Sequence, residues 1–291
     1  MRFAQISDLH FTRNTWNPFR FCSKRIAGMI NWFLFRQSLF SYDMVSSLPE
    51  LFKTLNVDQI FVCGDLTSTS LPKEFEMAQE FFNQFKQPKI FIPGNHDQYT
   101  HGSQREMRFY RFFQNSQSPI QHPTQFFSLS KHRIEVIPLQ PSWWCIALDT
   151  ALPTSLTSSN GLFSATLEKY LEEALRSLPK EDHIIVLNHF PFFENDISLH
   201  RLMGGNRLRA LLEQFSNVHL YLHGHTHRHT IADLRANKLP LILDSGCPIQ
   251  KPHSTWNLID CTDQGCNIKG YRWEKGTWIV FKDLTFEWSR T

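Results

Sequence analysis

"VHLYLHGHTHRH", residues 218–229, opens as an apolar strand and runs without a break into a glycine and a set of histidines at alternate positions, His223, His225, His227 and His229. Side chains alternate faces along an extended segment, so all four imidazoles share one direction if the strand continues through them. Gly224 permits a sharp turn between His223 and His225, which would free the later ones from the strand. How many of the four are used depends on what other strands bring to the same place.

Other strands end in the same way. "RFAQIS" (2–7) runs into "SDLH", with Asp8 and His10 two residues apart, and "VDQIFVC" (57–63) runs into Gly64-Asp65. "PKIFIP" (88–93) leads into "GNHD" (94–97), and "HIIVLNH" (183–189) finishes on His189. Further strands are expected at "IEVIPL" (134–139) and "WWCIALD" (143–149), and helices near 43–55, 72–86, 103–114, 164–178 and 204–215. From about 229 the pattern is nearly all strand, with turns at "DQG" (263–265) and "EKG" (274–276). Early β-α alternation followed by a strand-rich half predicts two packed sheets flanked by helices, with the site in the loops after the strands.

A lone GD or NH after a strand is a turn. Five such pairs, each just after an apolar strand, form a constellation. Its mix of carboxylate, imidazole and amide suits first-row metals such as Mn, Fe or Zn better than Ca. Asp149 and Asp244 also end strands and read as turn or capping residues.

The totals narrow the field. The chain has 291 residues, 41% hydrophobic and 20% charged, which is globular rather than disordered. No repeat, low-complexity tract or linker divides it, so it reads as a single domain over 1–291. A formal net charge of +3 does not by itself imply nucleic-acid binding. Six cysteines without a CxxC pair argue against a zinc ribbon and a disulfide scaffold. Cys261 and Cys266 could meet across a hairpin, but are expected reduced. The opening "MRFAQISDLHF" runs straight into a strand, so no secretory signal is expected, and no apolar run is long enough for a spanning helix. A reducing cytoplasm is the expected location.

The motif set D-x-H, GD, GNHD, a lone His and GHxH, complete and in order over residues 8–227, resembles that of the calcineurin-like metallophosphoesterase family. The resemblance implies an α/β fold, a four-layer α/β/β/α sandwich of two mixed sheets, with a binuclear metal centre. Asp8, His10, Asp65 and His227 would bind one ion. Asp65, Asn95, His189 and His225 would bind the other, with Asp65 bridging. Two divalent ions are implied, with Mn placed first and Fe, Zn or Mg as alternatives. A hydroxide between the ions would attack a phosphodiester or pyrophosphate in line. His96 would protonate the leaving oxygen or steady the phosphoryl group, with Asp97 orienting its ring. The family pattern offers no role for His223 and His229, which are expected to face solvent or bond to neighbours.

The substrate clue lies after the first motif. Residues 11–41, "FTRNTWNPFRFCSKRIAGMINWFLFRQSLFS", contain no Asp or Glu and interleave Arg13, Arg20, Lys24, Arg25 and Arg36 with aromatics that include Trp32 and Phe33. Basic residues beside exposed aromatics are what an interfacial membrane element needs. A second cluster, "REMRFYRFF" (105–113), follows GNHD. Within the family the combination is similar to the UDP-2,3-diacylglucosamine pyrophosphatases of lipid A synthesis. The best-known branch of those enzymes carries Arg where this chain has His96, so the resemblance is to a branch that retains His. Arg13, Arg20, Lys24, Arg25, Trp32 and Phe33 are then the expected substrate or membrane contacts. The expected partners are an acylated nucleotide-sugar and an anionic membrane surface, with peripheral attachment to the inner membrane and no protein partner. A cyclic-nucleotide phosphodiesterase, a repair-type nuclease gripping DNA with the same insertion, and a non-enzymatic scaffold are the alternatives.

Overall fold

A computed structural model of the chain describes residues 1–13, 39–115, 127–155, 158–193 and 199–288. Arg20, Lys24, Arg25, Trp32 and Phe33 lie outside the described residues.

Strand β1 (Arg2–Ile6) pairs in parallel with β2 (Gln59–Val62), and β2 in parallel with β3 (Lys89–Phe91). In the other sheet β4 (Ile134–Gln140) pairs antiparallel with β5 (Trp143–Leu148), and the short β6 (Gly161–Leu162) stands apart from it. β5 continues in parallel to β7 (His183–Leu187), while β6 pairs with β8 (Leu202–Met203) in a two-stranded ribbon. β9 (Val218–His223) lies parallel to β7, the edge strand β10 (Thr230–Asp233) runs antiparallel to β11 (Leu241–Asp244), and β11 is parallel to β9. The antiparallel run β12 (Thr255–Thr262), β13 (Gly265–Glu274) and β14 (Thr277–Glu287) completes the first sheet by pairing β12 with β1. The result is two six-stranded sheets, ordered β14-β13-β12-β1-β2-β3 and β10-β11-β9-β7-β5-β4.

The period-two alternation of each strand sorts its side chains between layers. Phe3, Phe61, Trp143, Leu187, Leu222 and Ile259 meet between the sheets. On the outer face of the first sheet, Ala4, Ile6 and Ile60 join Phe52 and Phe75 from helices Leu48–Thr54 and Pro72–Phe82. On the outer face of the second, Ile184 and Tyr221 join Leu171 and Leu208 from helices Ala165–Ser177 and Gly205–Leu212. This is the four-layer α/β/β/α arrangement that the sequence predicts.

A buried polar tie registers the two sheets. Gln5 Nε2 on β1 donates to the carbonyls of His223 and Leu243, each at 2.9 Å, and its Oε1 accepts from Asn257 Nδ2 at 3.0 Å. The strand ends of both sheets are thereby fixed relative to each other just beneath the polar loops.

The helix expected near 103–114 is two short helices, His101–Arg105 and Arg108–Phe112, because Met107 between them is left-handed at φ 54°. The turn at "EKG" has Lys275 and Gly276 at φ 48° and 86°, as a tight two-residue hairpin requires. Cys261 and Cys266 sit opposite each other on β12 and β13, and both are free thiols. Among the described residues no helix is long and apolar enough to cross a membrane.

Candidate metal centre

The loops that leave β1, β2, β3, β7 and β9 meet at one end of the sandwich. Backbone hydrogen bonds lace them together. Asp8 N donates to the Gly64 carbonyl at 3.0 Å, His10 N to the Asp65 carbonyl at 2.9 Å, and Gly224 N to the His189 carbonyl at 3.1 Å. The approach is close enough to need glycine: a Cβ on Gly224 would fall 1.8 Å from Ser7 Oγ and 2.6 Å from Asp8 Oδ2. Asp8, His10, Asp65, His225 and His227 all adopt positive φ, between 42° and 72°. Each such residue costs of order 1–3 kcal/mol, so the cluster marks a place where geometry is held against local preference.

The side chains converge on two adjoining loci. In the first, Nε2 of His10 and Nε2 of His227 are 3.0 Å apart, and His227 Nε2 is 3.3 Å from Asp8 Oδ1. His10 Nε2 lies 3.8 Å from both Asp8 Oδ1 and Asp65 Oδ2. In the second, Asp65 Oδ2 is 3.5 Å from His189 Nε2, which is 3.2 Å from Asn95 Oδ1. Asn95 Oδ1 is in turn 3.1 Å from His225 Nδ1. Donors at about 2.1 Å from a shared ion sit about 3.0–4.2 Å from one another, from adjacent to opposite positions, so these separations fit cation sites. Asp8 Oδ1 is buried with no hydrogen-bond partner among the described residues, which a cation would supply. Asp65 contributes to both loci.

The chemistry of each donor is set by its surroundings. Burial works to raise the Asp65 carboxyl, but His189, His96 and His10 outweigh it and hold the group well below the usual carboxylate range. Asp8 is lowered against the same burial by His227 and His189. Burial opposes a charge on His189, yet Asp65 and Asp8 raise it to about 9. Burial, reinforced by His189, pushes His225 down to about 3, which keeps it neutral.

Bonds on the far side of each ring fix which nitrogen faces inward. His189 Nδ1 donates to the Cys63 carbonyl at 2.7 Å, leaving Nε2 toward Asp65. His225 Nε2 donates to the His200 carbonyl at 3.1 Å, leaving Nδ1 toward Asn95. His227 Nδ1 lies 2.8 Å from Gln250 Oε1.

His96 stands beside the first locus, its ring 4.7 Å from that of His10 and nearly perpendicular to it. His10, Asp65 and His96 also bring donor atoms within 4.8 Å of one another. The role expected for Asp97 differs from what its contacts allow. Its carboxylate accepts from the backbone N–H groups of Leu66, Thr67 and Gly94 at 3.2, 2.9 and 3.0 Å, and from Thr67 Oγ1 at 3.0 Å. The GNHD turn points it under the loop, away from the neighbouring ring, where it ties GNHD to the GD loop. The His96 ring is held instead by Nδ1 donating to the Ser68 carbonyl at 2.7 Å.

The remaining residues singled out in the sequence fall outside the two loci. The strand ends at His223, so the four alternate histidines do not share a face. His223 is buried and donates from Nδ1 to the Gly224 carbonyl, and His229 Nε2 donates to Asn257 Oδ1 at 2.7 Å. Asp244 caps Gly246 N at 2.8 Å and also accepts from Thr226 Oγ1 at 2.6 Å, between the two site histidines. Asp149 caps Ala151 N and pairs with Arg133. Arg13 is exposed, with its backbone N–H donating to Glu74 Oε1 at 3.3 Å. Sequence reasoning missed the supporting shell of Cys63, Ser68, His200 and Gln250. Carbonyl acceptors carry no residue signature, and Gln250 belongs to no motif.

Residues 1–229 match the calcineurin-like phosphoesterase family. The chain belongs to this family. As a calcineurin-like phosphoesterase it is a metal-dependent phosphoric ester hydrolase with donors for a divalent dimetal site. It is 25% identical over 227 residues to a 3′,5′-cyclic-nucleotide phosphodiesterase of Nostoc sp., covering 77% of this chain and 71% of that protein. It is also 25% identical over 210 residues to the 3′,5′-cyclic adenosine monophosphate phosphodiesterase CpdA of Haemophilus influenzae, covering 72% and 68%. Its fold is similar to that of a dimetal phosphatase from Danio rerio, with a TM-score of 0.69, 14% identity and 99% of both chains covered. Purple acid phosphatase PPD1 from yellow lupin gives a TM-score of 0.63 at 12% identity, covering 98% of this chain and 53% of that one.

Proposed function

We propose that this phosphoesterase hydrolyses the pyrophosphate of an acylated nucleotide-sugar, UDP-2,3-diacylglucosamine. The products would be UMP and 2,3-diacylglucosamine 1-phosphate, released at the cytoplasmic surface of the inner membrane. One observation carries the choice of substrate: large apolar side chains stand exposed at the rim of a polar phosphate-handling site. Leu39 and Leu199 are each 42% exposed. Leu39 adjoins Phe40, whose ring stacks on His10 at 5.8 Å, and Leu199 adjoins His200, whose carbonyl holds His225. A small soluble nucleotide gains nothing from such a rim, whereas acyl chains do. The acid-free basic-aromatic run of 11–41 ends at this same rim.

When bound, two divalent cations supply Lewis-acid polarisation of the phosphoryl oxygens and a nucleophile of lowered pKa; Mn is the ion proposed, with Fe, Zn or Mg able to use the same donors. Asp8, His10, Asp65 and His227 would hold one, and Asp65, Asn95, His189 and His225 the other. The neighbouring histidines keep the Asp65 and Asp8 carboxyls ionised against their burial, and a bound cation would take the place of the proton that they hold on His189. His96, whose Nδ1 bonds to the Ser68 carbonyl beside the first locus, would donate a proton to the departing phosphate oxygen. Asp97 acts one step back, by holding the two loops that carry His96 and Asp65 together.

A second reading, hydrolysis of a cyclic nucleotide, is supported by the names of the Nostoc and Haemophilus relatives. It uses the same donors and leaves the apolar rim without a task. Purified protein supplied with Mn²⁺ and given the diacylated substrate in mixed micelles should release UMP, and should leave cyclic AMP intact. His96→Ala should cut the release by about 10²–10⁴-fold. Turnover of cyclic AMP alone would sink the lipid reading and favour the second.

A further inference from the structure

We propose that Gln250 is the positioning residue that selects the metal-binding tautomer of His227. The inference rests on reading the two loci as cation sites. His227 turns Nε2 toward Asp8 Oδ1 at 3.3 Å and toward His10 Nε2 at 3.0 Å. Its other nitrogen, Nδ1, is 2.8 Å from Gln250 Oε1. A neutral imidazole carries one proton, and an amide oxygen can only accept. The proton therefore sits on Nδ1, and the lone pair on Nε2 faces the other donors. His189 and His225 obtain the same service from backbone carbonyls, those of Cys63 and His200. His227 instead takes it from a side chain, which a single substitution can remove.

Gln250 is itself held in place. Its N–H donates to the Cys247 carbonyl at 3.3 Å, its carbonyl accepts from Ser254 Oγ at 2.9 Å, and its backbone bridges antiparallel to Phe40. Its side chain thus starts from an anchored point beside His227.

Gln250→Met keeps the length of the side chain and removes the acceptor; Gln250→Glu keeps the acceptor. Mn²⁺ titration calorimetry on the full chain should show Gln250→Met weakening one of two binding events by about 10–100-fold, the range for loss of such supporting partners. Gln250→Glu should bind as the unaltered protein or tighter. ¹⁵N NMR of the metal-free protein should show His227 protonated on Nδ1, and mixed tautomers in Gln250→Met. Unaltered Mn²⁺ affinity in Gln250→Met overturns the proposal, as does equal weakening in Gln250→Glu, or an Nε2-protonated His227 in the unaltered protein. If Gln250→Met does not fold, the NMR spectrum of the unaltered protein and the Gln250→Glu titration still decide. Failure of the unaltered protein to bind Mn²⁺ at all is a separate result, and defeats the metal-site reading instead.

Discussion

Gly94→Ala adds one methyl group, no charge and no change of ligand. Its Cβ would fall 2.1 Å from Asp65 Oδ1 and 2.4 Å from Asp65 N, where ordinary contact begins near 3.4 Å. Relief must therefore come from a shift of about an ångström or more, and the second clash is with backbone, which cannot swing aside. Asp65 Oδ1 is further pinned by His96 N at 2.8 Å, so the strain passes into the carboxylate that serves both loci. A misplacement of about 1 Å costs on the order of 100-fold in rate when the reacting groups must be held in register. Overpacking a tight site costs about 1–3 kcal/mol of stability, which the fold should survive. The expected outcome is a folded protein with turnover reduced about 100-fold and reduced metal content, read by phosphodiesterase assay and elemental analysis with circular dichroism as a check. Gly276→Ala is the contrast: nothing lies within 4 Å of its Cβ, but its φ of +86° makes alanine strained. That variant should lose about 1–2 kcal/mol of stability and no activity. Gly94→Ala with normal turnover and full metal would refute the claim that the close approach of the GNHD turn holds Asp65 in place.

Four further outcomes follow from the same geometry. Asp65→Asn and His189→Ala should each lose metal and activity together, because Asp65 spans both loci and His189 closes the second; elemental analysis after dialysis checks it. His96→Ala should retain its metal while turnover falls by about 10²–10⁴-fold, the usual share of a general acid; loss of a metal equivalent would make His96 a ligand. Glu74→Ala should destabilise the chain by about 3 kcal/mol in urea unfolding, since it strands the two buried donors Thr69 N and Leu71 N at roughly 1–3 kcal/mol each. Finally, burial, with His183 and Arg235 alongside, pushes His219 down to about 4. The unfolded chain takes up this proton below about 6.5 and the folded one does not until near 4, so stability is full above that window and falls as the pH drops through it. His219→Phe preserves the stacking on Trp288 at 4.4 Å and should make the fall of the urea midpoint between pH 6.5 and 4 shallower, an unchanged slope refuting the assignment.

The strands that carry the site were legible because each is an apolar run ending in a turn of distinctive composition, and the fold places such ends together. That order brings the five motif-bearing loops together, while the choice of Asp8, His10, Asp65, Asn95, His189, His225 and His227 within them came from the family resemblance. What a linear reading could not supply was direction. Asp97 and His96 are neighbours in the chain, yet the turn sends one under the loop and the other over it. His223 looks like its three companions until the strand stops and buries it. Gln250 comes from a loop with no motif, and reaches His227 only because β11 and β12 close back over β9 and β1. Left-handed backbone at five polar residues was equally hidden, since only glycine announces it in sequence.

The antiparallel bridge of Phe40 to Gln250 is reinforced by Lys251 N donating to the Leu39 carbonyl at 2.7 Å and Ser41 N to the Ile249 carbonyl at 2.9 Å. Residues 39–41 are thus fastened to the segment whose side chain grips His227. With Gln250 setting the orientation of that imidazole as proposed, a surface or ligand that shifts this strip would change the affinity for metal, and metal loading would then change the affinity for that surface or ligand by the same factor.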